Sequence, residues 1–217
     1  MTDRGVHLAL IGMSGSGKSY WSARLAERGF HHFCCDAMIA VRLAPELIGP
    51  DERRITMGEW MGFPYQPQYA VREARYLAHE VAAVREILDC IEREASDCEG
   101  DIVVDTTGSV IYIGDALLSR LRELTTVVHM ATPPEVRERM LELYLSNMRP
   151  VLWQGMFDQR PGEAADAALA RCYPTLLSSR ERLYERLADV TVSYAERNRE
   201  GFGVDDLLEI IEGATSG

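Results

Sequence analysis

Residues Gly12-Met13-Ser14-Gly15-Ser16-Gly17-Lys18-Ser19 carry the strongest chemical signal in this chain. Their spacing, G-x-x-x-x-G-K-[ST], is that of a phosphate-binding loop, or P-loop. The glycines let successive backbone N–H groups converge on one point, where they meet phosphate oxygens. Lys18 is placed to reach the β- and γ-phosphates of a nucleotide, and Ser19 offers its hydroxyl to Mg2+. Tyr20 follows directly. Lys18 is the chain's only lysine, and every other basic side chain apart from histidine is an arginine. Two further acids, Asp36 and Asp105, follow short apolar runs, where a carboxylate can orient a hydroxyl or help hold a metal.

The surrounding pattern positions these residues. Val6 to Ile11 reads as a buried strand stopped by Gly12, and Lys18 to Arg28 as the helix that follows it. Further strands are expected at 31–35, 101–105, 126–131 and 190–194. Helices are expected at 37–47, 69–95, 114–124, 134–147, 164–188 (interrupted near Pro174) and 204–212. The 69–95 helix carries a stripe of Leu77, Val81, Val84, Leu88 and Ile91. Residues 49–68 and 148–162 are rich in proline and glycine and read as loops. The first is expected to pack through Trp60, Phe63 and Tyr65. Alternating strands and helices predict an α/β fold: a three-layer P-loop NTPase with a five-stranded parallel sheet. Ligands in such sheets bind at the carboxyl ends of the strands.

Composition excludes several classes. The net charge is −11, which disfavours nucleic acid as a partner. No run of 18 apolar residues is present, so no membrane partner is expected and a cytoplasmic protein is. The cysteines (34, 35, 90, 98 and 172) are odd in number and show no C-x-x-C spacing, so reduced thiols are expected. Nothing in the sequence fixes an oligomeric state.

With the P-loop in place, nearly the whole chain resembles the shikimate kinase family. Asp36 stands where the second acid of the family's Asp-x-Asp holds substrate hydroxyls, while Cys34 replaces the first, metal-side acid. Asp105, ending Asp-Ile-Val-Val-Asp, resembles a Walker-B acid and is the candidate replacement as a metal ligand. Arg149-Pro150-Val151-Leu152 is similar to the family's lid motif, whose arginine closes over the transferred phosphate. Arg180, in Arg-Glu-Arg-Leu-Tyr, matches the arginine that grips a substrate carboxylate, and Arg139 matches one that lies against adenine. Two motifs differ. Thr106-Thr107-Gly108 stands in place of Gly-Gly-Gly, and the Phe-Arg-x-x-Glu substrate motif is absent, with Arg72 and Arg75 in its region.

The resemblance therefore implies a single P-loop kinase domain over residues 1–217, with a lid at about 148–165 and a substrate-binding subregion at about 37–95. It implies ATP and Mg2+ as cofactors. The catalytic set is Lys18, Asp36 and Arg149; the substrate set is Asp36, Arg72, Arg75, Thr106, Thr107, Gly108 and Arg180. Three readings follow. One is a shikimate kinase-like transfer to a small hydroxylated, carboxylate-bearing molecule. A second is transfer to another hydroxyl, on a sugar, amino acid or antibiotic. The third is nucleotide binding without turnover. Asp36 and Asp105 also fit simple helix or turn caps.

Overall fold

The computed structural model describes residues 5–49, 51–93 and 100–215. Pro50, Cys98 and the last two residues of the expected 69–95 helix lie outside them. Five strands form one sheet: β1 (His7–Ile11), β2 (His31–Cys34), β3 (Ile102–Asp105), β4 (Thr126–Met130) and β5 (Val190–Val192). Their order is β2-β3-β1-β4-β5, and every pairing is parallel. Nine α-helices among the described residues connect or flank them. They are α1 (Lys18–Glu27), α2 (Cys35–Leu43), α3 (Met57–Met61), α4 (Tyr69–Glu92), α5 (Asp115–Leu124), α6 (Pro134–Ser146), α7 (Ala165–Leu187), α8 (Tyr194–Arg197) and α9 (Val204–Thr215).

Strand alternation builds the layers. Successive side chains of β1 point to opposite faces. Leu8 and Leu10 pack with Trp21 and Leu25 of α1 and Leu207 and Ile211 of α9. Ala9 and Ile11 face a larger cluster that includes Ile39 of α2, Ile87 of α4, Leu121 of α5 and Leu176 of α7. The sheet is thus covered on both faces, as its almost unbroken apolar strands require. These are the three layers expected.

Several elements depart from expectation. α2 begins at Cys35, so Asp36 lies in its first turn. Within 49–68 a short helix forms at Met57–Met61, because Thr56 and Glu59 cap each other's backbone N–H groups reciprocally. α7 runs through Pro174 without a break. The proline removes one helical hydrogen bond, at a cost of about 3 kcal/mol. Tyr173, Leu176 and Leu177, all buried, anchor the helix on both sides of it. On α4 the buried positions are Tyr69, Tyr76, Glu80, Ala83, Val84, Ile87, Leu88 and Ile91, whereas Leu77 and Val81 are only partly buried. The inward face is rotated from the expected stripe and contains a glutamate. The aromatics of 49–68 do pack: Trp60 is buried, and Phe63 stacks on Tyr65 and meets Tyr144 edge-on.

Cys34, Cys35 and Cys172 are free thiols, but Cys90 is disulfide-bonded, against the expectation of reduced cysteines throughout. Among the described residues no helix is long and apolar enough to cross a membrane.

Candidate active site

The sheet brings the candidate residues together. β1 lies between β3 and β4, so the loop after it opens at the carboxyl ends of three strands. Leu10 pairs with Asp105 and Cys34 pairs with Asp105, which places the P-loop, the Walker-B-like acid and the start of α2 side by side. Gly12, Gly15 and Gly17 all take positive φ, the conformation that curls the loop. Lys18 folds back over it, donating to Gly12 O at 2.9 Å and Met13 O at 3.0 Å. Burial lowers the pKa of this ammonium, and the nearby carboxylates of Asp105 and Asp36 act in the opposite direction. Ser19 and Tyr20 lie exposed in the first turn of α1.

A cavity of about 330 Å3 opens beside the P-loop. Met13, Ser14, Asp36, Tyr76, Thr107, Gly108, Ser109, Arg149 and Arg180 line it, together with apolar Met57, Met140, Val151 and Leu177. Asp36 lines this cavity and keeps part of its surface open. Desolvation by the surrounding protein raises its carboxyl above the usual range, opposed by Lys18 and by the Tyr76 hydroxyl. Tyr76 donates to Asp36 Oδ1 at 3.1 Å. Asp105 is buried, and its Oδ1 has no hydrogen-bond partner among the described residues. An orphaned carboxylate oxygen near Lys18, with the Ser19 hydroxyl in the adjoining helix turn, is a donor set suited to a hard divalent cation. Residues Asp105 and Ser19 thus fit Mg2+.

Residues 148–164 lead into α7, and Arg149, Pro150 and Val151 among them line the cavity. Arg149 Nη1 donates to Ser14 Oγ at 3.0 Å, so the guanidinium sits over the P-loop tip. The segment is stitched to α4: Tyr69 donates its hydroxyl to Val151 O at 2.8 Å, and Gln154 N donates to Glu73 Oε1 at 2.9 Å. At its root it touches α3. A Cβ on Gly58 would stand 1.9 Å from Met148 O, which only glycine avoids.

The substrate set divides. Arg180 on α7 is buried at the cavity, donating to Gly108 O at 3.3 Å and Leu152 O at 2.6 Å, with its guanidinium over the Tyr112 ring. Gly108 is pressed to the P-loop: an added Cβ would approach Ser14 N to 3.1 Å. Thr107 lines the cavity, but Thr106 does not, because its hydroxyl turns back to the sheet and donates to Leu10 O at 2.7 Å. Arg72 and Arg75 are also outside. They border a separate, more open hollow of about 1020 Å3 formed with Pro45, Ile55 and Trp60. There Arg72 bonds Trp60 O, and Arg75 pairs with Glu46 at 2.8 Å. Arg139 is exposed on α6.

Two charged residues escaped the sequence reading. Glu80 is fully buried behind the cavity wall and accepts hydrogen bonds from Thr107 Oγ1 and, at 2.6 Å, from Ser109 Oγ. Burial pushes its pKa up to about 7 despite those bonds. Tyr76-Leu77-Ala78-His79-Glu80 has the aromatic and the glutamate of Phe-Arg-x-x-Glu at the same spacing, with Leu77 in the arginine's place. That spacing was the available signal. Arg197 of α8 is buried beneath the P-loop and donates to Ser16 O at 3.1 Å, Ala131 O at 2.5 Å and Val192 O at 2.8 Å. No sequence pattern announced it.

No family model and no curated protein matches the chain. Solved structures do. A shikimate kinase from Acinetobacter baumannii, in complex with shikimate, aligns with a TM-score of 0.59 and 19% identity over 98% of this chain and 94% of that one. The shikimate kinase of Aquifex aeolicus gives 0.57 at 17% identity, covering 98% and 99%. That of Bacteroides thetaiotaomicron gives 0.56 at 17%, covering 97% and 94%. The fold is that of the shikimate kinases. At such identity the likeness establishes the shikimate kinase fold and leaves the chemistry to the site itself.

Proposed function

We propose that the protein is an ATP-dependent kinase that transfers the γ-phosphoryl group to a hydroxyl of a small molecule. The observation that carries this reading is the convergence on one cavity of a complete P-loop, an arginine over the loop tip and a carboxylate facing the acceptor space. Lys18 and the loop N–H groups bind the phosphates. Arg149 adds positive charge where the transferring group spreads its negative charge over equatorial oxygens. Asp36 accepts the proton of the attacking hydroxyl or orients it; its raised pKa brings it nearer the working range of a general base. Asp105 and Ser19 hold Mg2+, which supplies charge neutralisation at the β- and γ-phosphates. The 148–164 segment excludes water, which limits wasteful hydrolysis of ATP. Arg139 is proposed to lie against the adenine.

The expectation of a carboxylate on the acceptor rests on Arg180 alone, now that Arg72 and Arg75 lie elsewhere. A nucleotide-binding protein without turnover shares the P-loop but has no use for Asp36 beneath the lid arginine. Steady-state ADP release with ATP, Mg2+ and a panel of hydroxylated acceptors, against a no-acceptor control, separates the two. Acceptor-dependent release supports the kinase; tight ATP binding with no release by any acceptor supports the other.

A further inference from the structure

The outer hollow of about 1020 Å3 takes no part in the proposed phosphoryl transfer. Pro45 and Glu46 line it just after α2, and Arg53 joins them from a turn closed by an antiparallel bridge between Ile48 and Arg54. Trp60 lines it from α3, and α4 adds Val71, Arg72 and Arg75 from a little over one helix turn.

The charges in this hollow do not cancel. Glu46 and Glu59 are the acids among its described lining residues, and each is already paired. Arg75 meets Glu46 at 2.8 Å, and Arg53 meets Glu59 at 3.2 Å. Arg72, the third cation, has no carboxylate partner among the described residues. It donates to Trp60 O, and its guanidinium lies over the Trp60 ring, 5.6 Å from the centroid. A guanidinium carries five N–H donors in one plane, and a single carbonyl leaves most of them to spare. The indole behind it fixes the plane of the fork. A chain of net charge −11 thus presents a locally cationic hollow. Arg53 and Arg75 are themselves well exposed, so their pairs hold little energy and can open toward a ligand.

Beside these donors the surface is apolar. Ile48 and Val71 are 55% and 72% exposed, and Ile55 and Trp60 line the hollow with them. Aliphatic side chains next to an unpaired guanidinium suit a molecule that is anionic at one end and apolar at the other.

We propose that the hollow is a second ligand site, separate from the phosphate-transfer cavity, for a small organic anion. Its carboxylate or phosphate group sits on Arg72, where an oxyanion takes two N–H groups of the fork, and its apolar body covers Ile48, Ile55 and Val71. The site also touches the lid. Met148 lines the hollow, and Arg149, next in the chain, lines the active cavity. Trp60 stands two residues after Gly58, whose backbone meets that of Met148. A ligand against Trp60 and Met148 stiffens the root from which Arg149 reaches Ser14, so nucleotide binding tightens. By linkage, the nucleotide tightens the ligand by the same factor. Neither effect depends on turnover, so the site stands apart from the kinase reading.

The test is calorimetric titration of the full chain with phenyl phosphate, phenylacetate and uncharged benzyl alcohol as probes. Mg2+ and a non-hydrolysable ATP analogue at saturation keep the phosphate probe out of the P-loop. At least one anion should bind with a Kd of about 1 mM or below, and at least about tenfold more tightly than benzyl alcohol. The tighter of the two anions names the group that Arg72 holds. Arg72→Gln loses the fork and should weaken anion binding by about tenfold. Val71→Glu puts a negative charge at an exposed position of the hollow and should weaken it in the same direction. Melting temperatures report folding, and where Arg72→Gln does not fold, Val71→Glu decides. In a separate titration, saturating anion should raise affinity for the ATP analogue by about fivefold. Anion binding weaker than this, or no tighter than that of benzyl alcohol, overturns the site. So does anion binding that folded Arg72→Gln retains in full, which would place the anion on Arg180 in the active cavity. Binding that is lost in Arg72→Gln but leaves analogue affinity unchanged upholds the site and overturns its link to the lid.

Discussion

Replacing Lys18 by alanine removes the ammonium that bonds the carbonyls of Gly12 and Met13 and that reaches the phosphates when a nucleotide binds. Acceptor-dependent ADP release should fall by roughly a thousand-fold, in the range that removing one charge-stabilising donor produces. The fold should persist, since the side chain packs no core; circular dichroism checks that, and full turnover in a folded variant would sink the role. Glu80 makes a prediction about stability. Its ordinary pKa of 4.5 rises to about 7 in the folded state, so folding favours the protonated form. The stabilising contribution is complete below pH 4.5 and is lost as pH rises through 7, a span worth roughly 3 kcal/mol. Urea unfolding at pH 5 and pH 8 should show a smaller pH difference in Glu80→Gln than in the parent. Equal differences would mean that Glu80 does not titrate in this window. Burial shifts the Asp36 carboxyl in the same direction, opposed by Lys18 and Tyr76.

At the scale of elements, α3 props the root of the lid. Gly58 lets its backbone meet Met148, next to Arg149, and the capping box of Thr56 and Glu59 fixes where the helix starts. Gly58→Ala should displace the 148–149 backbone and with it the guanidinium over Ser14. The expected result is a loss in kcat of about a hundred-fold, the penalty of a shift near 1 Å at a reacting group. A wild-type kcat in this variant would show that the lid arginine is not positioned from here. The T-x-x-E signature of the cap was present in the sequence, but the density of proline and glycine around it masked a five-residue helix. α8 is the other element of consequence. It directs Arg197 onto three carbonyls under the P-loop, so Arg197→Met leaves buried acceptors unpaired and should destabilise by about 2–4 kcal/mol in urea unfolding. Unchanged stability would make the brace dispensable.

For the molecule as a whole, the sheet and its helices were legible because buried parallel strands read as short apolar runs and the P-loop marks where β1 ends. The curl of the P-loop followed too, since a contiguous motif carries its own geometry. The acceptor side was not legible, because it is assembled from distant elements whose facing depends on how α4 is rotated. Arg72 and Arg75 lie near Tyr76 in sequence but face the outer hollow, while Glu80 sits on the inward face. A glutamate within an otherwise apolar stripe was the clue, and reading the stripe from Leu77 and Val81 concealed it. Thr106 shows the same limit: its neighbour Thr107 faces the cavity, yet Thr106 serves the sheet.

The most direct test of the central claim is ADP release by the full chain with ATP and Mg2+, measured with and without hydroxylated acceptors, in parent and Lys18→Ala protein. Phosphoryl transfer through this cavity predicts release that depends on an acceptor and collapses in the variant. Nucleotide binding with no acceptor-dependent release, or release that survives the loss of Lys18, would contradict it.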